Sequence, residues 1–301
     1  MKKILLFGAD GQVGWELQRA LAPLGEVIVS SPFAGDANRA DFTRPESLEA
    51  LVQRIDPEII VNAAAHTAVD RCESEPELAR AINAGSPAAL ARVAQASNAT
   101  LVHYSTDYVF DGSGSTPWKE DSPTDPLSVY GLTKLEGEDA IRASGCRHLV
   151  LRTSWVYAAR GGNFMRTMLK LAAERDALNV VADQIGAPTG AELLADTTAL
   201  MLRGLEARPE LAGTYHVVAS GECSWHDYAK LAIEFARARG HAIRVAPEAV
   251  KPIASSAYPT PARRPANSRL DTTRVQRAFG LRLPPWQQGV ERTLIEMLDR
   301  N

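Results

Sequence analysis

Little in this sequence speaks for disulfides, membranes or nucleic acid. Only three of its 301 residues are cysteine, Cys72, Cys146 and Cys223, and they lie too far apart for metal-ligand spacing. An odd, scattered set argues for reduced thiols rather than a disulfide framework. No apolar run approaches the roughly 20 residues of a membrane-spanning helix. The opening MKKILLFGADG is basic and then apolar, but Gly8 and Asp10 break the apolar run before it reaches the length of a secretory core. Lys and Arg number 33 against 36 Asp and Glu, a formal net charge of -3. That balance gives no electrostatic reason to expect a nucleic-acid or membrane-surface partner. Repeats and low-complexity tracts are missing as well. The expectation is a cytoplasmic globular protein, and 45% hydrophobic with 23% charged residues is ordinary composition for one.

The length suits one large domain with an appended lobe. Segments 3–7, 26–29, 58–61, 101–104 and 148–151 are short, β-branched or aliphatic, and read as buried strands. Between them, 12–22, 45–54, 76–95 and 127–143 read as helices, with a kink or break at Pro87. Near-continuously apolar strands alternating with helices predict a doubly wound α/β fold, a parallel sheet covered on both faces. Beyond residue 155 the rhythm loosens. Helical patterns at 164–175, 193–205, 225–239 and 286–298 are separated by strand-like 179–181 and 215–218. Residues 254–268, ASSAYPTPARRPANS, read as loop. The predicted organisation is a dinucleotide-binding Rossmann domain over 1–155 and a mainly substrate-binding lobe over 156–301, with 178–218 packing back onto the first unit. The lobe would close over the carboxyl edge of the sheet, where open α/β folds bind ligands.

Gly8, Gly11 and Gly14 in GADGQVG follow the first strand and open the first helix. Glycines there permit a sharp turn, close approach to a pyrophosphate and tight helix–strand packing, while the helix N-terminus favours the anion. The spacing is one residue wider than G-x-G-x-x-G. Tyr130 and Lys134 stand four apart on a predicted helix and share one face. A neighbouring ammonium is expected to lower a phenol's pKa from about 10 and make it a proton donor and acceptor near neutrality. The helix follows a strand ending in YST, so the Thr106 hydroxyl would sit at the same edge. The AAAHT segment, residues 63–67, should lie there too. His66 reads either as a ligand contact or as a satisfied loop histidine, and Trp155 either as core or as a stacking wall for a sugar. Arg263 and Arg264 read either as a diphosphate grip or as solvated surface.

Taken together, GADGQVG, VNAAAHTAVD (61–70), HYSTDYVFDG (103–112), VYGLTK (129–134), RTSWVY (152–157), DQIGAPTGAEL (183–193) and YPTPARRPANSRL (258–270) resemble the dTDP-4-dehydrorhamnose reductases. These belong to the extended short-chain dehydrogenase/reductase superfamily, and the likeness runs nearly end to end. The resemblance implies reduction of the 4-keto group of dTDP-4-dehydro-L-rhamnose by NADPH or NADH. It implies Tyr130 as proton donor, Lys134 at the nicotinamide ribose, and Thr106, Asp107 and Trp155 around the sugar. Gly11, Gln12 and Val13 would hold the pyrophosphate and Asp41 and Phe42 the adenine end. Ala65, His66, Thr67 and Tyr104 would line the cofactor channel. The family is also associated with a homodimer and with Mg2+, for which Glu16 and Glu192 are the candidate ligands.

One departure concerns cofactor choice. An acidic residue closing the second strand would read the adenosine ribose and favour NAD, but here that strand ends in Ser30 and Ser31. NADPH is therefore expected to serve at least as well as NADH, with Arg39 close by and Asp36 or Asp41 as alternative ribose readers. Among competing functions, a sugar-nucleotide dehydratase would carry Asp–Glu after the threonine, whereas this chain has Asp107–Tyr108. A C4 epimerase of the same superfamily and a non-catalytic dinucleotide-binding regulatory subunit remain as alternatives. The intact set of Thr106, Tyr130 and Lys134 argues against the second.

Overall fold

The structure is a computed structural model describing residues 1–30 and 38–299. Its centre is a six-stranded sheet. Strands β1 (Lys3–Phe7), β2 (Glu26–Ser30), β3 (Ile59–Asn62), β4 (Thr100–Thr106) and β5 (His148–Thr153) are joined by a sixth strand, Gly213–His216. The spatial order is Gly213–His216, β5, β4, β3, β1, β2, and every pairing is parallel. The chain winds outward to β2 on one side of β1 and to β3, β4 and β5 on the other. The reversal leaves a crevice at the carboxyl ends of β1 and β3, the usual ligand position in such sheets.

Strand periodicity divides the core. Ile4, Leu6, Val61, Val102 and Leu149 point to one face and pack with Leu17 of α1 (Gln12–Leu21) and Leu194 and Met201 of α8 (Ala191–Ala207). Leu5, Phe7, Ile60, Leu101 and Val150 point to the other. They meet Leu48 and Val52 of α2 (Pro45–Ile55), Leu90 of α5 (Ser86–Ser97) and Ile141 of α6 (Val129–Ser144). Burying each such aliphatic side chain contributes ~1.5–3 kcal/mol. Between α2 and α5 lie two short helices, α3 (Val69–Ser74) and α4 (Pro76–Arg80). Helices α7 (Phe164–Glu174), α9 (Trp225–Ala238) and α11 (Trp286–Leu298) build the lobe around Tyr157, Tyr228 and Trp286, and α10 (Thr273–Phe279) packs beside α8.

Several boundaries differ from expectation. Segment 76–95 is not one helix: α4 gives way to a π-helical turn, Ala81–Gly85, before α5. Pro87 falls in the first turn of α5, where its missing N–H costs nothing. Helix α6 starts at Val129 rather than 127, because the Ser128 side chain accepts from Gly131 N at 3.2 Å and caps it. Strand Leu178–Val181 pairs with Val250–Ile253, outside the central sheet. The 254–268 segment contains one short 3-10 turn, Ser255–Ala257, so it is not loop throughout. No helix among the described residues is long and apolar enough to cross a membrane.

Candidate active site

The site is built where β4 ends and α6 begins. On β4, Val102 and Tyr104 face α1 and α8, which leaves His103 and Ser105 toward α6. On α6, Tyr130, Lys134 and Glu138 recur at four-residue spacing and form one stripe against the sheet. Glu138 anchors that stripe from below. Its buried carboxylate accepts from Ser105 Oγ at 2.5 Å, Arg152 Nη2 at 2.7 Å and Arg142 Nη1 at 2.9 Å. At the top of the stripe, the buried Tyr130 phenol is close enough to the Thr106 hydroxyl to feel it. Thr106 Oγ1 donates to Asp107 Oδ1 at 3.1 Å and accepts from Tyr108 N at 3.2 Å. The Tyr108 ring stands edge-on to Tyr130, 5.5 Å between centroids.

Burial pushes the Tyr130 phenol well above its ordinary value, and the nearby Thr106 hydroxyl only partly opposes it. This corrects the expectation that Lys134 lowers Tyr130. The lysine is engaged behind the tyrosine: Nζ donates to the Tyr104 carbonyl at 2.6 Å and lies 3.0 Å from His103 Nε2. Burial also brings Lys134 itself down from 10.5 to about 8, against the pull of the Glu138 charge. Tyr130 is therefore protonated at neutral pH, the form that donates. Burial raises the Asp107 carboxyl to about 6, opposed by the nearby Ser268 hydroxyl and by the bond from Thr106. Its Oδ2 is buried with no partner among the described residues.

At the crevice, Gly8 has φ +76, and a Cβ there would stand 2.6 Å from Ala64 N; a Cβ on Gly14 would stand 2.0 Å from Gly8 O. Only glycine lets the turn press this closely on β3 and on its own helix. Helix α1 opens at Gly11 without a side-chain cap, so its first N–H groups, with Gln12 and Val13, are available to an anion. The loop after β3 is pinned at both ends. Asn62 Oδ1 accepts from Ala64 N at 3.1 Å, and His66 N donates to Asn83 Oδ1 at 2.8 Å. Ala65 is half-buried and Thr67 exposed beside them, while the His66 ring lies 3.1 Å from Glu75. Asp41 is exposed and accepts from Thr43 N and Oγ1, and Phe42 packs edge-on against Phe7. The Tyr104 phenol is turned into the core against Thr198 at 2.6 Å, so only its carbonyl faces Lys134. Ser31 and Asp36, named for cofactor choice, lie outside the described residues; Arg39 is exposed.

On the substrate side, Trp155 holds φ +50, a left-handed conformation costly for a bulky residue and typical of functional sites. Its ring stacks on Trp225 with centroids 3.7 Å apart. The two loop arginines differ. Arg264 pairs with Asp70 at 2.8 Å and ties the loop to α3, whereas Arg263 is exposed with no ion pair among the described residues. Burial, and then the Glu16 charge, raise the Glu192 carboxyl. No group of three or more His, Cys, Asp or Glu able to hold a metal occurs among the described residues. Asn62, His103, Glu138, Arg152 and Trp225 escaped the sequence reading. The local signal was a histidine inside a fully buried strand, TLVHYST.

The family model of the RmlD substrate binding domain matches residues 1–298. The chain is 54% identical to the dTDP-4-dehydrorhamnose reductase of Salmonella typhimurium (strain LT2), over 98% of this chain and 97% of that protein. The chain belongs to the dTDP-4-dehydrorhamnose reductase family. The crystal structure of a Clostridium acetobutylicum dTDP-4-dehydrorhamnose reductase superposes with a TM-score of 0.86 at 35% identity, covering 99% of each chain. That of the Bacillus anthracis reductase, solved in complex with NADP, gives 0.84 at 34% identity over 98% of this chain and 99% of that one. Membership makes the chain an oxidoreductase that works with a nicotinamide cofactor.

Proposed function

We propose that the chain reduces the 4-keto group of dTDP-4-dehydro-L-rhamnose to dTDP-L-rhamnose. This is the last step in making that sugar donor for cell-surface polysaccharide, carried out in the cytoplasm by a homodimer. The observation that carries the reading is the pair of hydroxyls on Thr106 and Tyr130, with the phenol held in its protonated form by burial, together with an uncapped helix terminus.

The residues fit a dinucleotide: the tight turn at Gly8 and the free first turn of α1 suit a pyrophosphate, and Asp41 and Phe42 suit the adenosine end. When bound, the reduced nicotinamide supplies the hydride. Tyr130 donates its proton to the oxygen that the reduction makes basic, and the Thr106 hydroxyl holds that oxygen. Lys134, in its charged form, stabilises the phenolate left behind and orients the ribose. Asp107 accepts from a sugar hydroxyl, Trp155 backs the sugar ring and Arg263 grips the diphosphate. Glu16 and Glu192 offer two carboxylates to Mg2+. They make only part of an octahedral shell, and no step depends on them.

The test is optical. Reduced cofactor should be oxidised in stoichiometry with dTDP-4-dehydro-L-rhamnose generated in situ. Sugar conversion without net oxidation would indicate an epimerase. Cofactor binding without turnover would indicate a regulatory subunit.

A further inference from the structure

Asn62 ends β3, and His103 is its register partner on β4; both are enclosed, each 1% exposed. Their contact continues to Lys134 on α6, and the donors along it can be counted. Asn62 Oδ1 accepts the Ala64 N–H at 3.1 Å, which assigns Nδ2 as the amide atom 3.1 Å from His103 Nδ1. An amide nitrogen only donates, so Nδ1 is an acceptor and carries no proton. Burial holds His103 well below its ordinary value, so the ring is neutral and its single proton sits on Nε2. That nitrogen is 3.0 Å from Lys134 Nζ. An ammonium would oppose a donor to a donor. A neutral amine instead accepts the Nε2–H on its lone pair and keeps a proton for the Tyr104 carbonyl, 2.6 Å away.

We propose that Asn62 and His103 are positioning residues that set the protonation of Lys134. By holding the imidazole as an Nε2–H donor, the pair disfavours the ammonium and makes loss of the lysine proton the event that limits reduction at alkaline pH. The proposal rests on the reading that charged Lys134 serves Tyr130. Other charges near α6 are otherwise engaged. Glu138, one turn on, favours the ammonium but is shared among Ser105, Arg152 and Arg142. Glu73 of α3 accepts from Val129 N, Arg80 of α4 pairs with Glu136, and Arg92 of α5 pairs with Glu49. Asp107 bonds to Thr106, while Cys72 and Tyr108 lie toward Tyr130.

The sign follows from burial, which lowers Lys134 from 10.5 to about 8. The ammonium is present below that pH and lost above it. Since kcat/KM reports the free enzyme, its alkaline limb should fall near pH 8 in the wild type. Asn62→Asp is isosteric and can still accept the Ala64 N–H, but it now accepts from Nδ1–H. The imidazole turns over to an Nε2 acceptor that welcomes the ammonium, and the limb should move up by about one unit or more. Asn62→Leu releases Nδ1 without adding charge and should move it in the same direction by less.

The tautomer is read directly, without cofactor or substrate, from 15N shifts of labelled histidine. His103 should show protonated Nε2 and bare Nδ1 in the wild type, and the reverse in Asn62→Asp. A wild-type ring protonated on Nδ1 overturns the proposal, even if no variant folds. So does a limb that stays in place while the tautomer switches. Full activity in Tyr130→Phe would sink the acid assignment but leave the tautomer result standing, so the two failures are told apart.

Discussion

Replacing Glu138 with glutamine should loosen the helix that carries Tyr130 and Lys134 while touching neither. The carboxylate is 0% exposed and the Arg152 that pairs with it is 2% exposed. Two Arg152 nitrogens reach it, Nε at 2.9 Å and Nη2 at 2.7 Å, together with Ser105 and Arg142. Burial alone would raise this carboxyl, but Arg152, Ser105 and Arg142 together hold it below the ordinary 4.5. It is thus ionised, and its contribution to stability is present above the unfolded value and lost as pH falls through the lower folded one. Glutamine leaves the Arg152 guanidinium buried without its counter-ion, a change that costs ~3–5 kcal/mol. The amide oxygen keeps some of the hydrogen bonds, so the lower end applies, about 3 kcal/mol. At roughly 2–4 °C per kcal/mol for a chain of this size, Tm should drop by ~6–12 °C in a calorimetric scan at pH 7. Removing both charges, Glu138→Leu with Arg152→Met, should recover most of the loss, since an apolar replacement of a buried pair is often neutral. A single variant that melts within about 1 °C of the wild type, or a double variant worse than the single, would refute the reasoning.

Tyr130→Phe keeps the ring and removes the proton, so kcat should fall by about 10²–10⁴-fold with cofactor affinity nearly unchanged in a fluorescence titration. Because burial raises Asp107 to about 6, its carboxylate forms as pH rises through that value. The acid limb of kcat/KM should lie there and vanish in Asp107→Asn. Arg263→Ala should raise KM for the sugar nucleotide by roughly 10- to 150-fold, the loss of one charge-assisted pair. Arg264→Ala should instead lower stability through the freed Asp70. With no carboxylate at Ser30 or Ser31, NADPH should be used at least as efficiently as NADH; a tenfold preference for NADH in initial rates would contradict that.

The parallel sheet, the glycine turn and the Tyr130–Lys134 face were legible along the chain because each rests on local order. Strand and helix periods, the glycine spacing after β1 and the four-residue step from Tyr130 to Lys134 act over a few residues. The missed elements fail for the same reason. Helices α3 and α10 have six and seven residues, too short for a periodic pattern. The strand Val250–Ile253 is defined by a partner 72 positions earlier in register, Leu178–Val181.

What each side chain faces was decided only by the tertiary structure. Spacing placed Lys134 beside Tyr130, but not that its Nζ turns to His103 and Tyr104, or that burial outweighs its charge at the phenol. Adjacent Arg263 and Arg264 look alike in sequence, yet Asp70, 194 residues from Arg264, ties down one and leaves the other exposed. Tyr104 reads as channel lining until Thr198 of α8 claims its hydroxyl. Protonation and partner choice depend on desolvation and on groups the chain brings together only when folded. Local sequence therefore determined where the chemistry stands, and long-range packing determined which protons it holds.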